Sequence, residues 1–380
     1  GNLKQMQISR FTVDLPGAFS MKGGGILENL ADSLTRSGTI GLDMITQNLN
    51  FLTALTGEAP NGTIVIPDSM NLKARVELKG PEYKANLHLK QGQGSMGVNA
   101  ELNTSTEAYA ADLKIDNLQL HNFLPKDSIY ELSLSADAKG RGLDVMSYRA
   151  LAKLNLSLDQ LHYARYQLSN VHLTGALKGA LVTANLTSDN ALLKMTTDAE
   201  YNLAHRYPDG KVTVDVTQLD LHELGLMPQP MKRPLAFNLS AEARQNRVFT
   251  HLTSGDMKLN LSARSGVNSL ISQSTHFMDV LMKQIDEKAL NHAELREALP
   301  TAILSFSAGK ENPLAYFLAT KNISYHDVSM KFGTAPDWGI NGKAAVHALK
   351  MDTLQLDTIF FTVKQDTTLM KLRAGVINGP

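Results

Sequence analysis

Apolar residues recur at every second position along most of this chain. Leu72, Ala74, Val76 and Leu78 fall on one side of an extended segment, while Lys73, Arg75, Glu77 and Lys79 fall on the other. Tyr83, Ala85, Leu87 and Leu89 repeat the pattern, and so do Val98, Ala100 and Leu102. Similar runs follow around Leu113, Leu134, Leu156, Leu173, Met195, Val214, Leu239 and Leu259. A strand sends successive side chains to opposite faces, so a period of two marks a half-buried strand and excludes a helix. Turn residues separate the runs, as at Gly92-Gln93-Gly94 and Pro208-Asp209-Gly210. Residues 60–263 therefore read as a repetitive antiparallel β meander.

Two stretches leave the pattern. Ile26, Leu27, Leu30 and Leu34, then Leu42, Ile45, Leu49 and Leu52, stand at helical spacing. Residues 1–59 are accordingly expected to be an N-terminal strand plus a helical segment, with Gly23-Gly24-Gly25 as a flexible joint. Val267, Leu270, Ile271, Ser274, Phe277, Met278, Leu281 and Ile285 form a second helical stripe, stopped by Pro300. That gives an amphipathic helix over 264–300, followed by a C-terminal β segment over 301–380. A short helix within that segment starts at Asn312-Pro313, a capping residue followed by a first-turn proline. No stretch of 18 uninterrupted apolar residues occurs. The chain begins with Gly1 and reads as one continuous body cut from a longer one.

The alternation carries an internal repeat. Leu113-Lys114-Ile115-Asp116 and Leu118-Gln119-Leu120-His121 return 101 residues later as Val214-Asp215-Val216 and Leu219-Asp220-Leu221-His222. Leu132-Ser133-Leu134-Ser135-Ala136 likewise matches Phe237-Asn238-Leu239-Ser240-Ala241. Strand units that cannot bury their own face stack along an axis. The fold class expected is mainly β: an elongated, curved, groove-like antiparallel sheet with a few amphipathic helices packed on it.

Composition narrows the chemistry. With 37 Lys+Arg against 37 Asp+Glu, the chain lacks the basic excess of a nucleic-acid binder. No cysteine is present, which removes thiolate metal sites and a cysteine nucleophile. His121 and His222 are repeat equivalents rather than a ligand pair, and His276 and His292 do not have the four-residue spacing of a zinc helix. Ser305 and Ser307 lack a nucleophile-elbow setting. Asp112, Asp116, Asp215 and Asp220 read as solvated strand positions. A non-enzymatic protein without metal or cofactor is expected.

What remains is the apolar face itself. It needs a second sheet, helices or a lipid against it, because large exposed apolar patches imply a partner. Candidate lining positions for an acyl-chain ligand are Leu87, Leu89, Leu113, Ile115, Leu134, Leu154, Leu156, Leu173, Met195, Val214, Phe237, Leu239, Leu259 and Leu261. A closed sandwich core made of the same strands is the alternative.

Leu168-Ser169-Asn170-Val171-His172-Leu173-Thr174-Gly175-Ala176-Leu177, followed by Leu181-Val182-Thr183-Ala184-Asn185-Leu186, resembles the recurring element of the AsmA/TamB superfamily. Ile323-Ser324-Tyr325-His326-Asp327-Val328 and Ile340-Asn341-Gly342-Lys343-Ala344 resemble it too. The likeness covers about 60–380 as pattern, and points to a large TamB-type or AsmA-type protein of the Bacteroidetes kind. The resemblance implies a periplasmic location and an inner-membrane anchor outside this chain. It also implies outer-membrane biogenesis, by conducting phospholipid between membranes or, alternatively, by assisting assembly of outer-membrane β-barrel proteins. The partners expected are a phospholipid or other acyl-chain ligand, or such a barrel, and no nucleic acid.

Overall fold

A computed structural model describes residues 4–48, 65–227, 230 and 233–378. The chain divides into two units, Gly1–Asn190 and Ala191–Pro380, at a point inside the meander that sequence reading had taken as continuous.

The first unit is an antiparallel meander. Its strands are β1 (Gln5–Leu15), β2 (Phe19–Glu28), β3 (Ser37–Thr46), β4 (Met70–Lys79), β5 (Glu82–Gln91) and β6 (Gly94–Asn103). They continue as β7 (Ala108–Gln119), β8 (Ile129–Arg141), β9 (Leu151–Tyr163), β10 (Tyr166–Leu168), β11 (Val171–Lys178) and β12 (Leu181–Asp189). Each pairs with its predecessor, except that β9 accepts β10 at one end and β11 along the rest. Hairpins set the register. Gly179 and Ala180 between β11 and β12 both have positive φ, 56° and 66°, which matches the mirror-image turns that suit the right-handed strand twist.

The helical reading of residues 26–55 is corrected over its described part. Ile26 and Leu27 end β2, Leu30 and Leu34 lie in the connection, and Leu42 and Ile45 belong to β3. Leu49 and Leu52 lie outside the described residues. Glycines hid the alternation. Met21, Gly23, Gly25 and Leu27 share one face of β2, and Gly38, Ile40, Leu42 and Met44 share that face of β3. The glycine triplet is thus part of a strand and not a joint. Gly23 faces the ring of Phe11 across β1, where a Cβ would come 2.6 Å from the ring. An aromatic side chain fills the space that the missing Cβ leaves.

The second unit is also antiparallel. It holds β13 (Leu193–Asn202), β14 (Gly210–Leu219), β15 (Leu235–Arg244), β16 (Arg247–Ser254), β17 (Met257–Ala263) and β18 (Ala302–Ala308). Then follow β19 (Ile323–Ser324), β20 (Asp327–Ala335), β21 (Gly339–Met351), β22 (Leu354–Gln365) and β23 (Met370–Ile377). The stripe expected over 264–300 forms two helices, α1 (Val267–Asp286) and α2 (His292–Glu297), separated near Lys288, whose φ is +53°. Phe277, Val280 and Leu281 of α1 pack on Leu295 and Ala298. The Gln365 side chain donates to His292 O at 2.6 Å and ties α2 to the sheet.

The short helix starts where expected, as α3 (Pro313–Ala319). Asn312 caps it by accepting Ala315 N–H at 2.9 Å, and its Nδ2 donates to Asp256 Oδ1 and Gly309 O at 2.7 Å each. Burial alone would raise the Asp256 pKa, but donations from Asn312 and the Glu311 and Gly309 N–H groups outweigh it and hold the carboxyl below its usual range.

The repeat is present down to an irregularity. In β7–β8, Ile115 pairs with Leu134, the register shifts, and Leu118 pairs with Leu132. In β14–β15, Val216 pairs with Phe237, the register shifts, and Leu219 pairs with Leu235. Each unit carries one copy of the same bulge, which bends the strand and increases its local twist. Ile115 and Val216, directly before it, are both buried.

Candidate functional site: an uncharged sheet face

Directly paired residues in a sheet share a face, so the pairings in the first unit trace rows running across the strands. One row is Phe11, Gly23, Leu42, Ala74, Leu87, Val98, Leu113, Ala136, Leu156, Leu173 and Leu186. A second is Val13, Met21, Met44, Leu72, Leu89, Met96, Ile115, Leu134, Leu158, Val171 and Ser188. A third contains Ile40, Val76, Ala85, Ala100, Ala111, Ala138, Leu154, Gly175 and Ala184. The fourth runs through Leu78, Tyr83, Leu102, Tyr109, Gly140, Ala152, Leu177 and Val182. No charged side chain interrupts any of them. The third row is low, because four consecutive strands place alanine there between the bulkier neighbouring rows.

Within the first unit, this face is closed at one side and open at the other. Met70, Leu89, Ile115 and Leu118 form a buried cluster, covered by Leu120 and Phe123 beyond the end of β7. Away from that cluster the side chains are half-exposed. Val76 is 45% exposed and Leu154 36%, against 8% for Leu89.

The candidate lining positions therefore separate. Leu89 and Ile115 are core residues of the closed side. Leu87, Leu113 and Leu134 border that cluster, while Leu154, Leu156 and Leu173 lie on the open part of the rows. In the second unit, Met195 and Phe237 both pair with Val216, and Val214 pairs with Leu239. Leu239 continues through Leu252 to Leu259 and Phe306, and Leu261 pairs with Leu304. The six candidate positions among them, Met195, Val214, Phe237, Leu239, Leu259 and Leu261, are all half-buried. Ala85 and Ala100 were legible as apolar-side positions, but their alignment with Ala111 and Ala138 in one low row follows only from the strand pairings.

The polar candidates have local roles. His121 packs its ring 5.3 Å from Tyr130, and His222 Nδ1 lies 3.1 Å from Met227 O. Asp220 accepts the His222 and Glu223 N–H groups at 3.0 Å each, closing the turn after β14. Asp116 pairs with Lys114 at 3.2 Å. His276 lies exposed on α1, and Ser305 receives Asn260 Nδ2 at 3.4 Å. Asp112 and Asp215 stand on the opposite face from the apolar rows.

The chain matches no known family, no curated protein and no solved structure.

Proposed function

We propose that the chain is a lipid-handling segment of a periplasmic protein of outer-membrane biogenesis. It would shield phospholipid acyl chains during transfer between the inner and outer membranes. The observation that carries this reading is the set of four uncharged rows across the first unit, half-exposed over much of their length. Such a wall binds by removing apolar area from water, at about 25 cal/mol per Å², without directional contacts that would fix a ligand in one place. Strands of ten residues make the face roughly 33 Å wide, enough for an acyl chain. No catalytic group or cofactor is needed for that task. The periplasmic address rests on the resemblance to the AsmA/TamB superfamily.

The test is native mass spectrometry of the protein purified from cells, together with uptake of a fluorescent phospholipid from donor vesicles. Copurified phospholipid and saturable uptake support the reading. A bare protein that takes up none overturns it.

The alternative, a scaffold for assembling outer-membrane β-barrels, is favoured by one observation. Among the described residues, positions 6–15 of β1 have strand partners in β2 alone, so the outer edge there can accept a further strand. Binding of an unfolded barrel client that persists after delipidation would support this second reading.

A further inference from the structure

The face opposite the apolar rows, in the first unit, contains a recess of about 1200 Å³ over β1–β6. Its floor is unusual for a strand surface. Gly24 pairs with Gly41, and Gly97 lies further along the same recess. Gly24 is held by packing, since a Cβ there would come 3.3 Å from the Arg10 Cα. Gly41 and Gly97 have no such reason. A Cβ on Gly41 would meet nothing nearer than Ala74 O at 4.0 Å, one on Gly97 would meet nothing within 4 Å, and neither has positive φ. Glycine inside a strand costs stability and often marks a place where a ligand approaches the backbone.

Cations surround this floor. The register of β1 shifts between Ile8 and Phe11, and the bulge brings Arg10 over Gly24. Arg75 flanks Gly41 on the other side and pairs with Glu77 at 2.8 Å. Lys22 and Lys73 stand in the adjacent row on either side of Asp43. Among the described residues, Arg10, Lys22 and Lys73 have no carboxylate within ion-pair distance. Two guanidinium groups and two ammonium groups thus line the recess together with the carboxylates of Asp43 and Glu28, with Arg75 also paired to Glu77. Guanidinium groups bind phosphate through paired N–H donors, and ammonium groups add point charge.

We propose that this recess binds a phosphate-bearing ligand, either a soluble phosphate ester or a lipid phosphate headgroup, seated on Gly41 between Arg10 and Arg75. This site lies on the face opposite the acyl-chain wall and does not depend on it.

The test titrates the full chain with glycerol 3-phosphate by calorimetry. A second arm measures cosedimentation with phosphatidylcholine vesicles containing phosphatidic acid, against phosphatidylcholine alone. Three variants are compared: Gly41→Leu, Arg10→Gln with Lys73→Gln, and Lys139→Gln with Lys153→Gln. The last removes two charges from the same face outside the recess. Binding in the soluble arm identifies a free phosphate ester, and binding only to acidic vesicles identifies a headgroup. In either case the first two variants should weaken it by about tenfold or more while the third leaves it unchanged. Absence of binding in both arms overturns the proposal. So does equal weakening by the third variant, or unchanged binding in a folded Gly41→Leu protein. The Arg10→Gln/Lys73→Gln protein, altered only at exposed positions, keeps the test decisive should Gly41→Leu not fold.

Discussion

Replacing Leu156 by Glu puts a carboxylate in the middle of the first apolar row, between Ala136 and Leu173. The carboxylate must stay hydrated, so a chain lying along the row loses contact for about one strand spacing on either side. That swath is roughly 10 Å long and about 5 Å wide. Counted on ligand and wall together it is on the order of 100 Å², or about 2.5 kcal/mol at about 25 cal/mol per Å². Affinity for an acyl-chain ligand should then fall by roughly 70-fold. The cost to the fold is smaller, because Leu156 is already half-exposed: about 1 kcal/mol, against the roughly 5–15 kcal/mol that keeps a domain folded. Thr174→Glu is the control. It introduces the same charge one strand away, on the opposite face, where Thr174 pairs with Asn155 and Asn185 and is exposed. The assay is equilibrium binding of a fluorescent phospholipid, with circular dichroism to verify the strands. Equal loss in the two variants would refute the face assignment. Unfolding of Leu156→Glu would show that the position belongs to a closed core.

Other outcomes follow from local geometry. Asn312, 1% exposed, caps α3 and donates to both Asp256 and Gly309, so Asn312→Ala should destabilise the second unit by about 2–3 kcal/mol in urea unfolding. Asn312→Ser, which keeps an oxygen for the cap, should lose about half as much, and equal losses would dismiss the contribution of the cap oxygen. The Asp256 carboxyl has a lower pKa folded than unfolded, so its contribution is present above the usual carboxylate range and fades as pH falls through the folded value. The protection factor of the Ala315 amide, its exchange rate relative to the intrinsic rate at the same pH, should fall on acidification in that window, and a pH-independent protection factor would contradict the linkage. Gly23→Ala would set a Cβ against the Phe11 ring and should cost about 1–3 kcal/mol, whereas Gly97→Ala, with open space around it, should gain about 0.5–1 kcal/mol. Thermal unfolding of the pair reads both signs, and a shift in the same direction for both would contradict this account of the two glycines.

The strands were legible because their apolar positions are filled by side chains that count as apolar, as in Leu72–Leu78 and Tyr83–Leu89. The reading failed over β2 and β3 because Gly23, Gly25 and Gly38 occupy apolar-face positions without contributing an apolar side chain. With those rungs blank, the remaining leucines and isoleucines fell by accident at helical spacing. α1 was legible for a complementary reason, since its stripe has no glycine gaps. Yet only part of that stripe is covered. Ile271 is 60% exposed while Phe277 and Leu281 are packed, a distinction set by where α2 lies and not by anything local in the sequence. The separation of Leu89 from Leu154 has the same origin, because coverage of the first unit's face depends on Leu120 and Phe123. The phosphate recess was invisible for a further reason. Its cations read as ordinary outward strand positions until pairing set Gly24 beside Gly41.

Nearly every strand in each unit pairs with the one synthesised just before it, and this bears on how the protein is made. A hairpin closes only a short loop, and short loops close at little entropic cost and quickly. Each new strand finds its template already in place, so the sheet can grow in the order of translation, one rung at a time. The exceptions in the second unit are β18, which pairs with β20 across α3, and β19, which pairs with β21; β17 and β18, though consecutive, are separated by α1 and α2. Growth there must wait for helices to form, which makes the region around residues 264–326 the slow step in an otherwise vectorial assembly.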